Sequence, residues 1–310
     1  MLLSVEDNFS FKAGETIRID MALMNAGKGI SRRGAKRLLG EGRVAVEGKI
    51  VKIASRIVRA GERISVIASL PSITILQENS DFIAIDKPPG LSSQPAEDPR
   101  TPSAIEVVGS MLRRREPSAP VAPSLVPVQI NPLHLVHRLD TPASGVLAFA
   151  KHGVSAASLS EAFRLREMKK VYVAIVEGAL LSPLTINAPI AKESAGFSEV
   201  GDAGDFALTT VTPLRSSEVA SLVAVSIKTG RMHQIRTHLS SVGHPIRGDR
   251  KYGEDFRFPR LYLHALMLEH RTVGRIVAPI PADFHKAIAA IGLSQITDEE
   301  ALRDYPAEAS

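Results

Sequence analysis

The sequence predicts an α+β protein with two domains. Its 310 residues exceed the usual size of a single domain. Helix-like and strand-like patterns alternate along the chain, and Pro71-Ser72 separates a compact first segment from a longer second one. With 44% hydrophobic and 23% charged residues, the composition is typical of a globular protein and excludes disordered, collagen-like and coiled-coil classes.

The composition also limits the chemistry. The chain contains no Cys, which excludes disulfides, thiolate zinc sites, iron–sulfur clusters and cysteine nucleophiles. No apolar run approaches the roughly 18–20 residues that cross a bilayer, and the first residues lack the basic-then-apolar pattern of a secretory signal. We therefore expect a cytoplasmic protein with no membrane partner.

The basic residues are concentrated in the N-terminal quarter. Residues 1–70 hold 13 Lys and Arg against 7 Asp and Glu, whereas the remaining 240 hold 25 against 26. A helix is predicted in this quarter, because Ser31 is at an N-cap position and Gly40 or Gly42 at a C-cap position. Short strands are expected around 44–49, at Ile57 and at 64–67. One helix face is apolar, and the other carries four basic residues that form a solvated surface or bind a partner: Arg32, Arg33, Lys36 and Arg37.

Asp140 is the first candidate for chemistry. Apolar and polar residues alternate over 133–140, which predicts a strand with Arg138 and Asp140 on one face and His137 on the other. Pro142 must end this strand, because Pro has no N–H for the ladder. A carboxylate at a strand end beside a turn is accessible to a ligand. The alternative is a structural Asp that pairs with the neighbouring Arg.

Several histidines and acidic residues raise the question of a metal site. His134, His137 and Asp140 are spaced three apart, and further candidates follow at His233, His238, His244 and Asp249. On a strand, residues three apart face opposite sides, so His134 and His137 cannot bind one ion. We therefore predict no metal site.

A second polar segment, 229–239, predicts an amphipathic helix that begins near Gly230. Its apolar stripe consists of Met232, Ile235, Leu239 and Val242. His233 and Arg236 share a flank of this helix, where a lone Arg usually points into solvent, and His238 is expected near the core. Residues 243–249 predict a turn and a short strand that hold the helix against the site.

Tyr172 belongs to a third such segment, 169–178. Strand alternation places its side chain on one face with Ala174 and Val176. A buried Tyr there is an ordinary core residue. A ring that projects into a basic, carboxylate-bearing cleft would instead offer a stacking platform for a nucleobase.

The N-terminal segments resemble the S4 RNA-binding module. The matching residues are Arg18 to Leu23, Ser31-Arg32 and Gly42 to Lys49. The resemblance implies a small α/β platform whose basic helix and adjoining strand contact structured RNA through phosphates, with an affinity that falls steeply with salt. The expected RNA-binding residues are Arg32, Arg33, Lys36, Arg37, Arg43 and Lys49.

The remaining chain, from about 75 to 292, resembles the pseudouridine synthases of the RluA family. The resemblance rests on six segments in order: Asp86 to Leu91, His137 to Asp140 with Ser144-Gly145, Lys170 to Ala174, Thr229 to Leu239 with Gly243 to Asp249, Leu263 to Ala265, and Ala278 to Pro281. It implies a mixed, largely antiparallel bent β-sheet with flanking helices. Two features depart from the family pattern: Ala143 replaces the usual Thr, and residues 94–132 are longer and richer in Pro.

The reaction implied by this resemblance detaches uracil from its ribose, turns it and rejoins it through carbon. Nothing is oxidised, reduced or hydrolysed, so the resemblance implies no redox cofactor, nucleotide cofactor or catalytic metal. The implied partner is RNA. The S4-like module favours rRNA, particularly 23S rRNA, and tRNA is the other candidate. We expect a monomer.

The resemblance also implies roles for individual residues. Asp140 would be the catalytic carboxylate that attacks either the sugar or the uracil ring, and Arg236 would pair with it and keep it ionised. Arg138 would fill the place of the flipped base, Tyr172 would stack on the uracil and assist the final proton removal, and Leu263 would form an apolar wall. Neighbouring residues are expected to contact RNA: His137, Arg231, His233 and Gln234.

The expected domain organisation follows from these matches. It comprises an N-terminal extension (1–15), an S4-like domain (16–68), a catalytic domain (73–292, with the Pro-rich segment 94–132) and an acidic tail (293–310). Two other hypotheses remain open. One is a non-catalytic RNA-binding or ribosome assembly factor that retains the synthase fold, and the other is a metal-dependent nuclease that uses the histidines.

Overall fold

A computed structural model describes residues 9–40, 42–47, 49–66, 73–95, 102–115, 133–193, 196–254 and 257–305. These residues form two compact units, and the first division between them falls after residue 72. Pro71-Ser72 itself, the first part of the expected N-terminal extension and most of the Pro-rich segment lie outside the described residues. No helix within these ranges is long and apolar enough to cross a membrane.

The smaller unit is an antiparallel sheet that packs with two helices. Its elements are β1 (Phe9–Lys12), β2 (Ile17–Arg18), α1 (Ile19–Asn25), α2 (Arg32–Gly40), β3 (Val44–Val46), β4 (Lys49–Ile50), β5 (Ile57–Val58) and β6 (Arg63–Val66). The sheet order is β1-β6-β3-β4, and β2 pairs separately with β5. All four residues of β1 pair with β6, so the expectation that they belong to an extension is wrong.

Helix α2 begins and ends at the predicted caps. The Ser31 hydroxyl accepts a hydrogen bond from the Gly34 N–H at 3.1 Å. At the other end, Gly42 has φ +69°, and its N–H and that of Arg43 bond back to the last turn of the helix. Ala35, Leu38 and Leu39 are buried, whereas the four basic side chains of the opposite face are exposed, as the pattern predicts.

The larger unit is built around one extended sheet. Its strands are β7 (Thr74–Glu78), β8 (Phe82–Lys87), β9 (His134–Leu135), β10 (Ser144–Ala150), β11 (Lys169–Glu177), β12 (Leu184–Asn187), β13 (Ile190–Lys192), β14 (Ser198–Val200), β15 (Leu208–Ser216), β16 (Ala220–Ile227), β17 (Leu263–His270) and β18 (Gly274–Val277). Helix α3 (Ala104–Arg115) is divided, since its residues up to Ser110 belong to the smaller unit and the rest to the larger. The other helices of the larger unit are α4 (Gly153–Arg164), α5 (Gln234–Ser241), α6 (Ala282–Ala290) and α7 (Asp298–Ala301).

The sheet is mixed and largely antiparallel. Eight strands follow the order β12-β15-β16-β11-β17-β10-β8-β7, with β18 paired to β17 and β9 to β10. The neighbours β10 and β17 are parallel, and the other strand pairs within the described ranges are antiparallel. This arrangement confirms the expected α+β class.

The side chains of strand β11 point alternately to the two faces of this sheet. Tyr172, Ala174 and Val176 pack on the side of α5, in a core that includes Ile235 and Leu239. The alternate residues pack on the other side with Phe284 and Ile288 of α6: Val171, Val173 and Ile175. The alternation predicted from the sequence is therefore confirmed, and it places the Tyr172 ring on the face that carries α5.

The parallel contact between β10 and β17 requires glycine at position 145. Gly145 has φ +111°, and a Cβ there would overlap the Ala265 carbonyl oxygen and lie 2.6 Å from the Ala265 nitrogen. We expect Gly145→Ala to lower the free energy of unfolding by about 2–3 kcal/mol more than Gly274→Ala. Gly274 has a similar positive φ of +70° but open space around it. Urea unfolding of both variants measures this difference, and equal losses would contradict it.

Two expectations for the larger unit are wrong. The strand predicted over 133–140 covers only β9, and residues 136–140 form a loop that leads to a turn before β10. The acidic C-terminal segment is part of the core, since Ile296, Ala301 and Leu302 are buried with α6. The Thr297 side chain caps α7, and Asp298 accepts the Ile280 N–H at 2.9 Å. The larger domain therefore extends beyond residue 292.

Candidate active site

The backbone on both sides of Asp140 is anchored by buried side chains. The Ser93 hydroxyl donates to the Leu139 carbonyl at 2.8 Å and accepts its N–H at 3.0 Å. The buried Lys87 ammonium donates to the Thr141 carbonyl at 3.2 Å, and also to two carbonyls of its own loop at 2.8 and 3.0 Å. Burial lowers the pKa of Lys87 to about 7. These contacts fix the position of Asp140 without a regular strand.

Arg236 joins Asp140 to a second carboxylate. Its Nη1 donates to Asp140 Oδ2 at 2.9 Å, while Nε and Nη2 bind both oxygens of Asp249 at 2.8 and 2.7 Å. Arg236 is 4% exposed and Asp249 1%. Burial disfavours the charge of Arg236, but the hydrogen bonds and charges of Asp249 and Asp140 raise its pKa above the ordinary value. The guanidinium is therefore permanently charged beside Asp140.

The helical pattern alone would point Arg236 into solvent, whereas the family resemblance pairs it with Asp140, and the structure has this pair. Helix α5 starts at Gln234, and Val242 follows its end, so the apolar stripe is shorter than expected. Ile235 and Leu239 are buried as predicted, and His238 is a core residue bonded to Thr209 and to the Ala188 carbonyl. Asp249, in the segment that follows, accounts for the burial of Arg236.

Asp140 lies where two cavities adjoin. A larger cavity of about 600 Å³ is lined by residues that include Pro89, Thr141 and Arg260. A smaller one of about 80 Å³ is lined by residues that include Tyr172 and Leu263. Three side chains line both: Asp140, His233 and Arg236. The side chain of Asp140 is 22% exposed, so a ligand in either cavity can reach the carboxylate.

The smaller cavity contains several of the residues predicted for the base. Tyr172 is half-buried, and both burial and the charge of Asp140 raise the pKa of its phenol, which therefore keeps its proton at neutral pH. Leu263 is a buried wall residue, and Arg138 is exposed. Arg231 lines the same cavity while its guanidinium pairs with Asp205 at 3.1 Å.

Other predicted site residues have structural contacts. His137 accepts the Ala148 N–H at 2.9 Å, and its ring stacks on Phe163. Gln234 is buried, and its amide bonds to Thr229 and to the Arg231 N–H at 2.7 and 3.0 Å. His137 therefore packs between β10 and α4. Gln234 holds the loop that precedes α5 through its hydrogen bonds.

The basic residues of the smaller unit differ in accessibility. The four side chains on α2 are exposed, and so is Lys49 on β4. Arg43 is 7% exposed, so its expected role as an RNA contact does not agree with its burial. Of the six residues expected to contact RNA, five are therefore exposed: Arg32, Arg33, Lys36, Arg37 and Lys49.

Comparison with known proteins identifies the larger unit. The sequence profile of the RNA pseudouridylate synthase family matches residues 81–241, a range that contains Asp140, Tyr172 and Arg236. The chain belongs to this family. An S4 domain profile also matches residues 17–64. The enzyme is therefore an RNA pseudouridine synthase, an isomerase, with an S4 domain, as the sequence motifs predict.

Named relatives cover most of the chain. An uncharacterized RNA pseudouridine synthase of Bacillus subtilis is 33% identical over 248 residues, which are 76% of this chain and 78% of that protein. A ribosomal large subunit pseudouridine synthase D of Pseudomonas aeruginosa is 29% identical over 276 residues, 79% and 82% of the two chains. The solved human RNA pseudouridylate synthase domain containing 1 superposes with a TM-score of 0.58 at 25% identity, over 78% of this chain and 99% of that one.

The synthase site includes residues to which sequence analysis assigned no role. Asp249, Lys87 and Ser93 position Arg236 and the Asp140 loop. Asp249 lies in the same motif segment as Arg236, and an acidic residue in that segment was the available signal. Among the residues that the structure describes, no group of three or more His, Asp or Glu side chains could hold a metal ion.

A buried histidine next to the synthase pocket has a fixed tautomer. The Ala278 carbonyl beside His264 Nε2 can only accept a hydrogen bond, so the ring hydrogen is on Nε2. Nδ1 is therefore the acceptor for the Ser144 hydroxyl at 2.9 Å, and Ser144 Oγ accepts a hydrogen bond from Arg260 at 2.6 Å. His264 Nε2 then donates to the Ala278 carbonyl at 3.1 Å. Burial lowers the pKa of His264 from 6.5 to about 4.

This histidine predicts a specific acid sensitivity. Between pH 6.5 and about 4 the unfolded chain binds a proton at His264 that the folded chain does not. Stability therefore falls as the pH decreases through this range, by up to about 1.4 kcal/mol per pH unit from this residue. We expect His264→Gln to remove that contribution when urea unfolding is compared at pH 4.5, 5.5 and 6.5. An unchanged acid dependence would contradict the assignment.

Proposed function

We propose that this enzyme converts particular uridines of large-subunit rRNA to pseudouridine, with Asp140 as the catalytic carboxylate. The observation that carries the proposal is the position of Asp140, which pairs with a permanently charged Arg236 where the two cavities adjoin. The relatives named as ribosomal large subunit synthases support rRNA as the substrate class. The S4 domain supports structured RNA as the partner.

The isomerisation reaction determines the roles that we propose for Asp140 and Arg236. The C1′–N1 bond of uridine breaks and a C1′–C5 bond forms, while the proton leaves C5 and N1 gains one. Asp140 attacks either C1′ or the uracil ring, and both routes need the ionised form. Because Arg236 occupies Oδ2, we assign Oδ1 as the attacking oxygen. The fixed positive charge of Arg236 compensates the negative charge of Asp140 when RNA displaces water.

The smaller cavity is the proposed uracil site. Tyr172 offers its ring for stacking, and Leu263 supplies an apolar wall. The target base must leave its stack in folded RNA at a cost of a few kcal/mol. Arg138, exposed at this cavity and two residues before Asp140, is the proposed replacement for the flipped base.

The exposed basic face of α2 is the proposed contact with RNA phosphates. Replacing Arg33, Lys36 and Arg37 by Gln should weaken binding about 10–100-fold near physiological salt and make the plot of log Kd against log salt less steep by about 2–3. A matched control removes three exposed basic residues of the larger unit, Arg271, Lys286 and Arg303. Filter binding to rRNA fragments measures both, and equal changes would assign the effect to net charge alone.

The function is tested by mapping pseudouridine in RNA. Purified protein is incubated with unmodified 23S, 16S and tRNA transcripts, and products are located by carbodiimide primer extension. We expect conversion at a small number of 23S positions, and deletion of the gene should remove the same positions in cells. Conversion of tRNA alone would overturn the rRNA assignment. Tight, salt-sensitive rRNA binding without conversion would favour a non-catalytic assembly factor, and chelator-sensitive cleavage of RNA would favour a nuclease.

A further inference from the structure

The residue before α5 has a backbone conformation that side chains other than Gly rarely adopt. His233 has φ 55° and ψ 20°, and its side chain makes no capping bond to the helix. Strained non-glycine residues of this kind persist where surrounding contacts hold them, and they cluster at functional sites. The imidazole of His233 lines both cavities, so this strained position presents a ring beside Asp140.

The contacts of Tyr252 favour one tautomer of the His233 ring. The Tyr252 hydroxyl accepts the Ser198 backbone N–H at 2.8 Å and lies 2.8 Å from His233 Nδ1. A backbone N–H only donates, so the hydroxyl hydrogen is available for Nδ1. We assign this hydrogen to Nδ1, which makes Nδ1 the acceptor in the neutral imidazole and leaves the ring hydrogen on Nε2.

Among the described residues no protein acceptor lies within hydrogen-bond distance of Nε2, so its hydrogen is available to a ligand. Nε2 lies 4.0 Å from Asp140 Oδ2, too far for a hydrogen bond, and the same oxygen accepts Arg236 Nη1 at 2.9 Å. The side chain of His233 is 13% exposed. The donor therefore faces the space that a ligand beside Asp140 would fill.

The charges around His233 favour the neutral ring. Burial lowers the pKa of His233, and the positive charges of Arg236 and Lys251 act in the same direction. Asp140 and Asp249 oppose this effect. The neutral Tyr252 hydroxyl completes the set of groups that face the ring. The imidazole is therefore a neutral donor near pH 7.

We propose that His233 is a further catalytic residue whose Nε2–H donates a hydrogen bond to a carbonyl oxygen of the target uracil. The inference rests on the proposed function. When the C1′–N1 bond breaks, its electron pair remains on the uracil, and negative charge develops on the carbonyl oxygens. Addition of Asp140 to the ring places charge on a carbonyl oxygen as well. In both routes the proton stays on His233, and the hydrogen bond strengthens as charge accumulates.

Two substitutions of His233 distinguish the loss of the hydrogen-bond donor from an effect on folding. Gly accepts the positive φ and removes the ring, whereas Gln places an amide N–H near the position of Nε2. Single-turnover tritium release from RNA labelled at uridine C5 measures the rate. We expect His233→Gly to lower the rate about 10²–10³-fold with RNA affinity within about 3-fold of wild type, and His233→Gln to recover at least about tenfold of that loss.

Tyr252 is the residue that positions the His233 ring, and its effect on the His233 tautomer can be measured by spectroscopy. In protein labelled with ¹⁵N-histidine, the His233 signals are those absent from His233→Gly. We expect them to report hydrogen on Nε2 and an accepting Nδ1. Tyr252→Phe should mix the two tautomers and lower the turnover rate about 3–10-fold without changing KM. Hydrogen found on Nδ1 of the wild-type protein would overturn the proposal.

The kinetic outcomes distinguish this proposal from the proposed function. If wild-type protein converts uridine and His233→Gly does so at the same rate, the role of His233 is wrong and the function stands. Equal losses in His233→Gly and His233→Gln, with both variants folded by thermal unfolding, would also overturn it. If wild-type protein converts no uridine in any RNA, the proposed function and the role of His233 both fail.

Discussion

Asp140→Asn should abolish pseudouridine formation, with a loss of at least about 10⁴-fold in the single-turnover rate. The substitution keeps the shape of the side chain and an oxygen that can accept the Arg236 hydrogen bond, but it removes the negative charge that attacks the substrate. Because the loop is held by Ser93 and Lys87 and not by Asp140, the fold should be unchanged. Tritium release and primer extension measure the loss.

Asp81→Asn is the matched control for this substitution. Asp81 lies in the turn between β7 and β8 and pairs with His152 at 2.9 Å, so the same chemical change occurs at an exposed carboxylate. This control should retain the wild-type rate within about twofold. If Asp140→Asn also retains that rate while RNA binding is intact, Asp140 is not the catalytic carboxylate. RNA binding that persists without conversion would support the assigned role.

Arg236→Met should lower the free energy of unfolding by about 3–5 kcal/mol. The cause lies mainly at Asp249, whose side chain is fully buried and would lose both bonds to the guanidinium. Asp249 would keep its hydrogen bonds from the Lys251 and Tyr252 N–H groups, but its buried charge would lose the pairing with the guanidinium. Asp140, which is partly exposed, loses its partner at a smaller cost. Urea unfolding measures the stability change, and conversion of RNA should be lost in parallel.

A double substitution distinguishes the loss of stability from the loss of activity. Arg236→Met combined with Asp249→Leu removes both buried charges and should regain most of the lost stability, because replacing a buried ion pair by apolar residues is often neutral. It should not regain activity, since Asp140 still lacks a cation. If the single Arg236→Met variant is as stable as the wild-type protein, the buried charge of Asp249 does not require Arg236 as its partner.

Some elements could be predicted from the residue pattern within a few neighbouring positions. These are the elements whose side chains alternate between two buried faces, or between the core and solvent. The caps of α2 and the alternation of β11 are examples, because each is decided by neighbours within a few residues. Residues 133–140 show the same alternation, yet 136–140 form a loop. The backbone of Leu139 bonds to Ser93, and that of the next-but-one residue, Thr141, bonds to Lys87; these partners are 46 and 54 residues apart in the sequence. Such contacts leave no periodic signal in the sequence.

The site itself was predicted from motifs better than from periodicity. The pairing of Asp140 with Arg236 followed from the family resemblance, whereas the helical pattern alone placed Arg236 toward solvent. The structure differs because α5 is buried on most of its sides, and because Asp249 forms an ion pair with the buried guanidinium. The burial of Ile296, Ala301 and Leu302 was missed because the acidic residues around them concealed a short apolar pattern.

The parallel pairing of β10 with β17 has a consequence for synthesis of the protein. The Asp140–Arg236 contact spans 96 residues, and the Ser144–His264 contact spans 120. At typical elongation rates of about 5–20 residues per second, a nascent chain holds the carboxylate for several seconds before its partners emerge. Catalytic competence is therefore acquired only near the end of translation, and chains that terminate before β17 cannot close this part of the sheet.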